Sequence, residues 1–366
     1  MTARPAASVV VVNWNGGDLL QDCLRSLAAD AEGAGGVEIV LVDNASEDGS
    51  AEVAQRTFDS LRVVQRQRNE GFAAGANAGI RASGGEFVVL VNNDARVEPG
   101  FLAAILEPMR RPGGEDVAAV TGRVLLADRY RPAPAGTGPD EGLVGHDGSR
   151  WVRVGPDEAG HRLLNSTGNL MTRSGNGRDR DWLSPEDSPP AAVDVFGFNG
   201  GCAALRRSAL DQVGLLEARL FMYFEDTDLS WRLRRAGWRI VHAHGAVTQH
   251  QHAASSGTAT AFFQIHNTRN RLLVALAQAP WPVILRALAR TPGIDAALVY
   301  CWQRWPGWSH ALIDEAGRPL PLLETFRALA REVRVPEFRL GFAQYAKDHP
   351  KIGKPLSDEF YLTPDV

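Results

Sequence analysis

"SVVVVNWNGGDLLQDCLRSL", residues 8 to 27, decides the fold class. Four consecutive β-branched residues, Val9 to Val12, form an apolar run without the alternation of a half-solvated strand. That is the pattern of a strand covered on both faces. The run stops at Asn13, and Leu19, Leu20, Cys23, Leu24 and Leu27 then recur at helical spacing. The same rhythm continues through residue 126. "VEIVLVDN" (37–44), "LRVVQR" (61–66), "GEFVVLVNND" (85–94) and "VAAVTGRVLL" (117–126) read as strands. Between them, "SEDGSAEVAQRTF" (46–58), with Ser46 as N-cap, "GFAAGANAGIRAS" (71–83) and "PGFLAAILEPM" (99–109) read as helices. Such βαβ alternation implies an α/β fold, a mostly parallel sheet flanked by helices, which binds ligands at the carboxyl ends of its strands. Asp43 and Asp94 both stand at such ends.

A length of 366 residues suits one elaborated domain or a domain with an appendage, and 44% hydrophobic against 22% charged residues is ordinary globular composition. A formal net charge of -4 argues against nucleic acid as a partner. Three separated cysteines without a CxxC pair favour a reducing compartment without disulfides. "MTARPAASVV" leaves no room for a secretory apolar region, and no run of 18 apolar residues survives without charge or proline. A cytoplasmic protein is expected, with a peripheral place at the inner face of the plasma membrane as the alternative.

Residues 128–193 change character: "RPAPAGTGPDEGLVGHDG" is a Gly/Pro-rich loop, and "LLNSTGNLMTRSGNGRDRDW" predicts a hairpin turning near Gly175-Asn176-Gly177. "VDVFGF" (193–198) is strand-like and "NGGCAAL" (199–205) Gly-rich; beyond Phe262 the chain reads as helical.

Dinucleotide and P-loop chemistry are excluded, because neither G-x-G-x-x-G nor G-x-x-x-x-G-K-[ST] follows the first strand. Asp94 in "VNNDARVEP" fits a hard cation such as Mg²⁺ or Mn²⁺, which takes one or two carboxylates plus substrate phosphates. An Asx-turn closing the strand fits the same residues. Glu225-Asp226 follows the aromatic run "FMYF", whose apolar surface would raise a carboxylate's proton affinity and suit a general base; capping of the helix that follows is the structural alternative. His242, His244, His250 and His252 lie close in sequence, yet no Cys and no H-E-x-x-H accompanies them, which disfavours zinc.

Taken in order, "VVVVNWNGGDLLQDCLRSL", "EIVLVDNASEDGS", "RNEGFAAGANAGI", "VLVNNDARVEPGFL", "FNGGCAALRRSAL", "FMYFEDTDLSWRLRRAGW" and "VTQH" resemble the family 2 glycosyltransferases of GT-A fold, in their bacterial rhamnosyltransferase-like branch. The resemblance covers about residues 8–275; residues 128–193 and the C-terminal hundred or so match loosely. It implies a GT-A domain over 1–260, with 128–193 as a variable insertion, and a mostly helical region over 261–366. It also implies a nucleotide-sugar donor and an acceptor hydroxyl on a glycan, a lipid-linked saccharide or a small natural product. Asp43 matches the acid that meets the base or ribose, and Asn13 and Asn15 lie where the nucleotide enters. Arg68, Gly71 and Asn77 belong to the nucleotide pocket. Asn92-Asn93-Asp94 occupies the D-x-D position, with Asp94 as metal ligand and Asn92 or Asn93 nearer the ribose. Gly200 and Gly201 let the backbone approach the donor sugar or the acceptor. Asp226 matches the catalytic base, Glu225 precedes it in the motif, and His250 (or less well His252) matches a histidine that reaches the metal or diphosphate.

A sugar nucleotidyltransferase would need a basic Gly-rich loop after the first strand, which "NWNGGDLLQD" lacks; an inactive nucleotide-sugar-binding scaffold is disfavoured by Asp43, Asp94 and Asp226. The C-terminal "APWPVILRALARTPGIDAALVYCWQRWPGW" holds four of nine tryptophans and offers an interfacial membrane surface. The alternative is a helical appendage covering its aromatics against the core or a second subunit of a homodimer. Arg286, Arg290, Asp295 and Arg304 exclude spanning. Arg173, Arg178 and Arg180 could meet an acceptor phosphate, or form a solvated turn.

Overall fold

The computed structural model describes residues 5–134, 136–138, 142–155, 157–251, 261–289 and 361–362. Strands β1 (Ala7–Asn13), β2 (Val37–Asp43), β3 (Arg62–Gln65) and β4 (Phe87–Asn92) pair in parallel with β1 central. Helices α1 (Gly17–Ala34), α2 (Ser50–Thr57), α3 (Gly71–Ala82) and α4 (Phe101–Arg110) cover them. The valine run behaves as its pattern requires. Val9 and Val11 enter a core shared with α1, α2 and α4, while Val10 enters the opposite core with α3. Gly79 is where α3 comes closest: a Cβ there would lie 2.3 Å from a methyl of Val10.

The second half joins this sheet in an order that periodicity does not reveal. A short β5 (Ala95–Val97) follows the Asn92–Asp94 turn. The long β6 (Val117–Pro132) extends past the expected fifth strand. The segment expected as loop forms β7 (Leu143–Val144), β8 (Arg150–Arg153) and β9 (His161–Ser166), which build outward from the far end of β6. The predicted hairpin is present as β10 (Asn169–Thr172) and β11 (Gly177–Asp179). "VDVFGF" forms no strand and makes only isolated bridges through Asp194 and Gly197. Gly-rich "NGGCAAL" instead supplies β12 (Cys202–Arg206), antiparallel between β4 and β6. With β13 (Arg239–His250), the order is β3-β2-β1-β4-β12-β6-β13-β5 in an eleven-stranded sheet. Its central strands are mostly parallel, as expected.

Ser46 does not cap α2. The helix starts at Ser50 after the left-handed Gly49, and the Ser46 hydroxyl donates to Asp43 instead. Helix α5 (Arg207–Val213) leads to a 3₁₀ turn at Ala218–Leu220 and then to α6 (Glu225–Arg235). Helices α7 (Ala261–Gln278) and α8 (Trp281–Ala289) lie within the region expected to be mostly helical. Tyr361–Leu362 add a short parallel strand to β10. No described helix is long and apolar enough to cross a membrane. His252, Arg290, Asp295, Cys301, Arg304 and the last three tryptophans lie outside the described residues. Cys23 and Cys202 are buried free thiols.

The entry to α6 is strained. Phe221, Tyr223 and Phe224 have φ of 66°, 70° and 69°, left-handed values that bulky side chains rarely adopt. Packing compensates: Asn270 on α7, fully buried, places Nδ2 2.8 Å from the carbonyls of Leu220, Met222 and Tyr223. Arg269 donates to the Arg219 carbonyl at 3.0 Å. Gln278, the last residue of α7, donates to Asp228 at 3.1 Å and accepts from Arg235 at its carbonyl at 3.0 Å, which ties the end of α7 to α6. Replacing Asn270 by alanine leaves these carbonyls without their donor. The expected loss is about 1–3 kcal/mol, read as a lower urea midpoint; an unchanged midpoint contradicts the role given to Asn270.

Candidate active site

Every strand-end residue singled out in the sequence lies along one edge of the sheet, but they do different things there. Asn13 is fully buried. Its Nδ2 lies 3.1, 3.0 and 2.9 Å from Asp43 Oδ1, Ser46 Oγ and Ser50 Oγ, and its Oδ1 accepts from Asn93 Nδ2 at 2.9 Å. One amide thus ties together the ends of β1, β2 and β4. Asp43 accepts in addition from the backbone N–H and hydroxyl of Ser46 and from Gln65 Nε2 at 2.6 Å. Asn15, at φ 53°, accepts from the Glu47 N–H and rims the opening. Exposed Arg68 pairs with Glu70 at 3.1 Å. Gly71 makes room for the strained aromatic loop, because a Cβ there would meet the Phe221 carbonyl at 2.4 Å. Buried Asn77 has both ends of its amide on the Leu216 backbone, at 2.7 and 3.1 Å, so it ties α3 to the segment after α5.

Asp94 follows the β4 end. Pairing of β5 with β13 sets Ala95 opposite His250, and His250 Nε2 lies 3.1 Å from Asp94 Oδ1. That oxygen is buried and has no aligned hydrogen-bond donor. The other ring nitrogen, His250 Nδ1, is 2.9 Å from Asn165 Oδ1. An acceptor there favours a proton on Nδ1, so Nε2 faces Asp94, donating to it when the ring is protonated and offering its lone pair to a cation when the ring is neutral. Burial pulls the His250 pKa down, but the bond to Asp94 and the charges of Asp94 and Asp179 outweigh it and raise the pKa. A carboxylate oxygen without an aligned donor and an oriented imidazole form a donor set that fits a divalent cation. Among the described residues no group of three or more His, Cys, Asp or Glu gathers to hold a metal alone. His242 lies apart from His250. It is buried, with its pKa pushed down to about 3 by burial and by Arg180, His244 and Arg123, and it reads as a core histidine.

Glu225 and Asp226 open α6. Asp226 Oδ2 accepts from the Gly200 N–H and from Asn169 Nδ2, both at 3.0 Å. Its Oδ1 accepts from the Thr227 N–H at 2.6 Å and hydroxyl at 3.2 Å. Burial raises the Asp226 pKa against the pull of those bonds. Glu225 is more deeply buried, one oxygen lacks a partner, and burial followed by the charge of Asp226 lifts its pKa well above normal. Gly200 faces Asp226 at ordinary contact distance, whereas a Cβ on Gly201 would lie 2.8 Å from Asn92 Nδ2. Asn92 Nδ2 in turn is 3.5 Å from His250 Nε2. The Gly200–Gly201 loop is therefore the link between the Asp226 side and the Asp94–His250 side.

Sequence reasoning missed Asn165, Asn169, Asp179 and Asn199. The predicted hairpin contained the first three and the Gly-rich "FNGG" the fourth, but neither pattern showed which side chains meet Asp226 or His250. Arg180, which the sequence offered as an acceptor contact, is buried and spent on Thr167 and the Ala192 carbonyl. A phosphate role for it is thereby corrected, because its donors hold the insertion together.

A mostly parallel sheet with β12 inserted antiparallel between β4 and β6, and acids along the carboxyl edge, is of the GT-A type of glycosyltransferase fold. The comparisons agree. The mannosyltransferase PcManGT from Pyrobaculum calidifontis, solved with GDP-Man and Mn²⁺, matches at TM-score 0.50 and 18% identity over 94% of this chain and 85% of its own. GalNAc-T7, solved with UDP, GalNAc and Mn²⁺, matches at TM-score 0.53 and 16% identity over 96% of this chain and 60% of its own. Residues 5–272 match the family described as "Glycosyltransferase like family 2", and the chain belongs to it. The N-acetylglucosaminyl-diphospho-decaprenol L-rhamnosyltransferase of Mycobacterium tuberculosis is 28% identical over 68% of this chain and 77% of the relative. A low-salt glycan biosynthesis hexosyltransferase, Agl10 of Haloferax volcanii, is 22% identical over 73% and 75%. The first of these relatives supports placement in the rhamnosyltransferase-like branch.

Asp179, on β11, is partly buried, and burial pushes its pKa up to about 6, with the charge of Asp226 adding and bonds from Ser166 and Asn199 opposing. A carboxyl raised in the folded state takes stability from the fold. None is lost below its ordinary value of 3.8, and the loss is complete above about 6. Asp179→Asn should therefore raise the melting temperature of metal-free protein at pH 7.5 by roughly 2–4 °C and leave it unchanged near pH 4. Calorimetry at both pH values checks the sign.

Proposed function

We propose that this chain is an inverting, metal-assisted glycosyltransferase. It moves a sugar from a nucleotide-diphosphate donor, of the dTDP-rhamnose or UDP-sugar kind, to a hydroxyl on a glycan, a lipid-linked saccharide or a small natural product. The observation that carries this reading is the placement of Asp226. Its carboxylate is held in position by Gly200 and Asn169, with its proton affinity raised, across a glycine loop from the Asp94–His250 pair. That is one general base and one leaving-group site, as a single in-line displacement requires.

Asp226 takes the proton of the acceptor hydroxyl as its oxygen bonds to the anomeric carbon, and the bond from that carbon to the diphosphate breaks with its electron pair. The bond from the Thr227 hydroxyl, at 3.2 Å, is the longest of the four on Asp226 and the one a sugar hydroxyl would replace. Glu225, buried and raised further, stays protonated and spares Asp226 a second adjacent charge. Asp94 and His250 would hold Mg²⁺ or Mn²⁺, which when bound supplies a Lewis acid for the charge on the departing diphosphate. Asp43, buried and held by Asn13, Ser46 and Gln65, would meet the base or ribose only once one of these donors gives way, with Asn15 and Arg68 at the rim.

Thermal-shift titration with UDP-, dTDP- and GDP-sugars, with and without Mn²⁺, should give stabilisation by a nucleotide sugar that depends on the cation. Mn²⁺ alone should shift melting little, since one carboxylate and one imidazole leave most ligand positions to the donor. Tight binding of Mn²⁺ to the protein alone would contradict that.

Asp226→Asn should lower transfer and donor hydrolysis by roughly 10²–10⁴-fold while donor binding persists. Full activity in this variant removes Asp226 as the base, and failure of the wild-type protein to turn over any nucleotide sugar favours an inactive binding role.

A further inference from the structure

The hairpin β10–β11 brings a second carboxylate into the site that the reaction above does not use. Asn169 and Asp179 are directly opposed across the hairpin, so their side chains leave on the same face. Asn169 reaches Asp226 Oδ2 at 3.0 Å, which fixes where that face points. Asp179 Oδ1 accepts from Asn199 Nδ2 at 3.1 Å, and Asn199 Oδ1 accepts from the Gly201 N–H at 2.9 Å. Gly201 backs onto Asn92, whose amide is 3.5 Å from His250 Nε2. Asp179 is thus joined on one side to the base and on the other to the pair facing the leaving group. It lies close enough to both Asp226 and His250 for their charges to act on it. In the proposed displacement the transferred sugar must sit between those two places.

We propose that Asp179 is a specificity-determining residue, whose carboxylate accepts hydrogen bonds from free hydroxyls of the transferred sugar and so selects a neutral, hydroxylated pyranose as donor group. The proposal rests on the glycosyl-transfer reading of the site. A carboxylate is acceptor-only and can receive two hydroxyl donors from one sugar face. It would repel sugars that carry a carboxylate, and it would be left unpaired by analogues lacking those hydroxyls. A structural purpose explains it poorly. Neither the Asn199 amide nor the Ser166 hydroxyl is charged, and a second acid beside Asp226 opposes folding.

The test uses calorimetric titration in the presence of Mn²⁺, with UDP, dTDP and GDP alongside UDP-glucose, dTDP-rhamnose and GDP-mannose. For the pair in which wild-type protein prefers the nucleotide sugar over its bare nucleotide, Asp179→Asn should bind the bare nucleotide within about twofold of wild type. It should bind the nucleotide sugar roughly 10- to 100-fold more weakly. Asp179→Ala, checked for an intact thermal transition, should show the same selective loss. Equal loss for sugar and bare nucleotide assigns Asp179 to architecture, and unchanged nucleotide-sugar binding with a raised acceptor KM in a transfer assay places it against the acceptor; either result overturns the proposal. If wild-type protein binds neither class, the glycosyl-transfer reading falls and takes this assignment with it. If wild-type protein binds a nucleotide sugar and the variants match it, only the role of Asp179 falls.

Discussion

The arrangement depends on one strand running the wrong way. β12 enters antiparallel between β4 and β6 and joins the half of the sheet built from β1 to β4 to the half that carries β6 and β13. Its backbone pairing tolerates almost no side-chain bulk around it: a Cβ on Gly122 of β6 would lie 2.4 Å from Cys202 Sγ. Because β12 runs opposite to its neighbours, its start rather than its end lies at the carboxyl edge of the parallel strands. The loop Asn199–Gly201 is therefore delivered to the site. From there it touches Asp226 through the Gly200 N–H, Asn92 through the bare Gly201, and Asp179 through Asn199.

Around that loop, polar groups at the strand ends are satisfied internally. Asn13 spends its amide on Asp43, Ser46, Ser50 and Asn93, and Asn77 spends its amide on Leu216. Buried amides left unpaired would each cost about 1–3 kcal/mol, which explains why several residues at the pocket face each other. Among the buried side-chain atoms without an aligned partner, Asp94 Oδ1 and Glu225 Oε2 belong to residues of the candidate site.

The strained aromatic entry to α6 belongs to the same design. Three left-handed aromatic residues in the four before Glu225 swing the helix start toward the Gly200 loop, and Asn270 and Arg269 hold their backbone from α7. Helix α7 is thus part of the site's support. The family match, which continues to residue 272, includes the residues that do this.

Much of the first half was legible because its physics is periodic. Val9 to Val12, packed on both faces, demanded a parallel sheet with helices on both faces, and Asp43 and Asp94 marked the carboxyl edge as the candidate ligand edge. The ordered motifs added the family, and with it Asp226 and His250 as candidates. What the sequence did not determine was which polar residues meet one another. β12 is five residues beside two glycines, too short and too small for a periodic signal. Asn169, Asp179 and Asn199 reach the site through pairings between segments far apart in the chain. Ser46 read as a cap until Asp43 offered it a better partner. Local patterns record which face of an element must be covered; only the closed sheet determines which side chains are brought within hydrogen-bonding distance, because that depends on strand order and register across the whole fold.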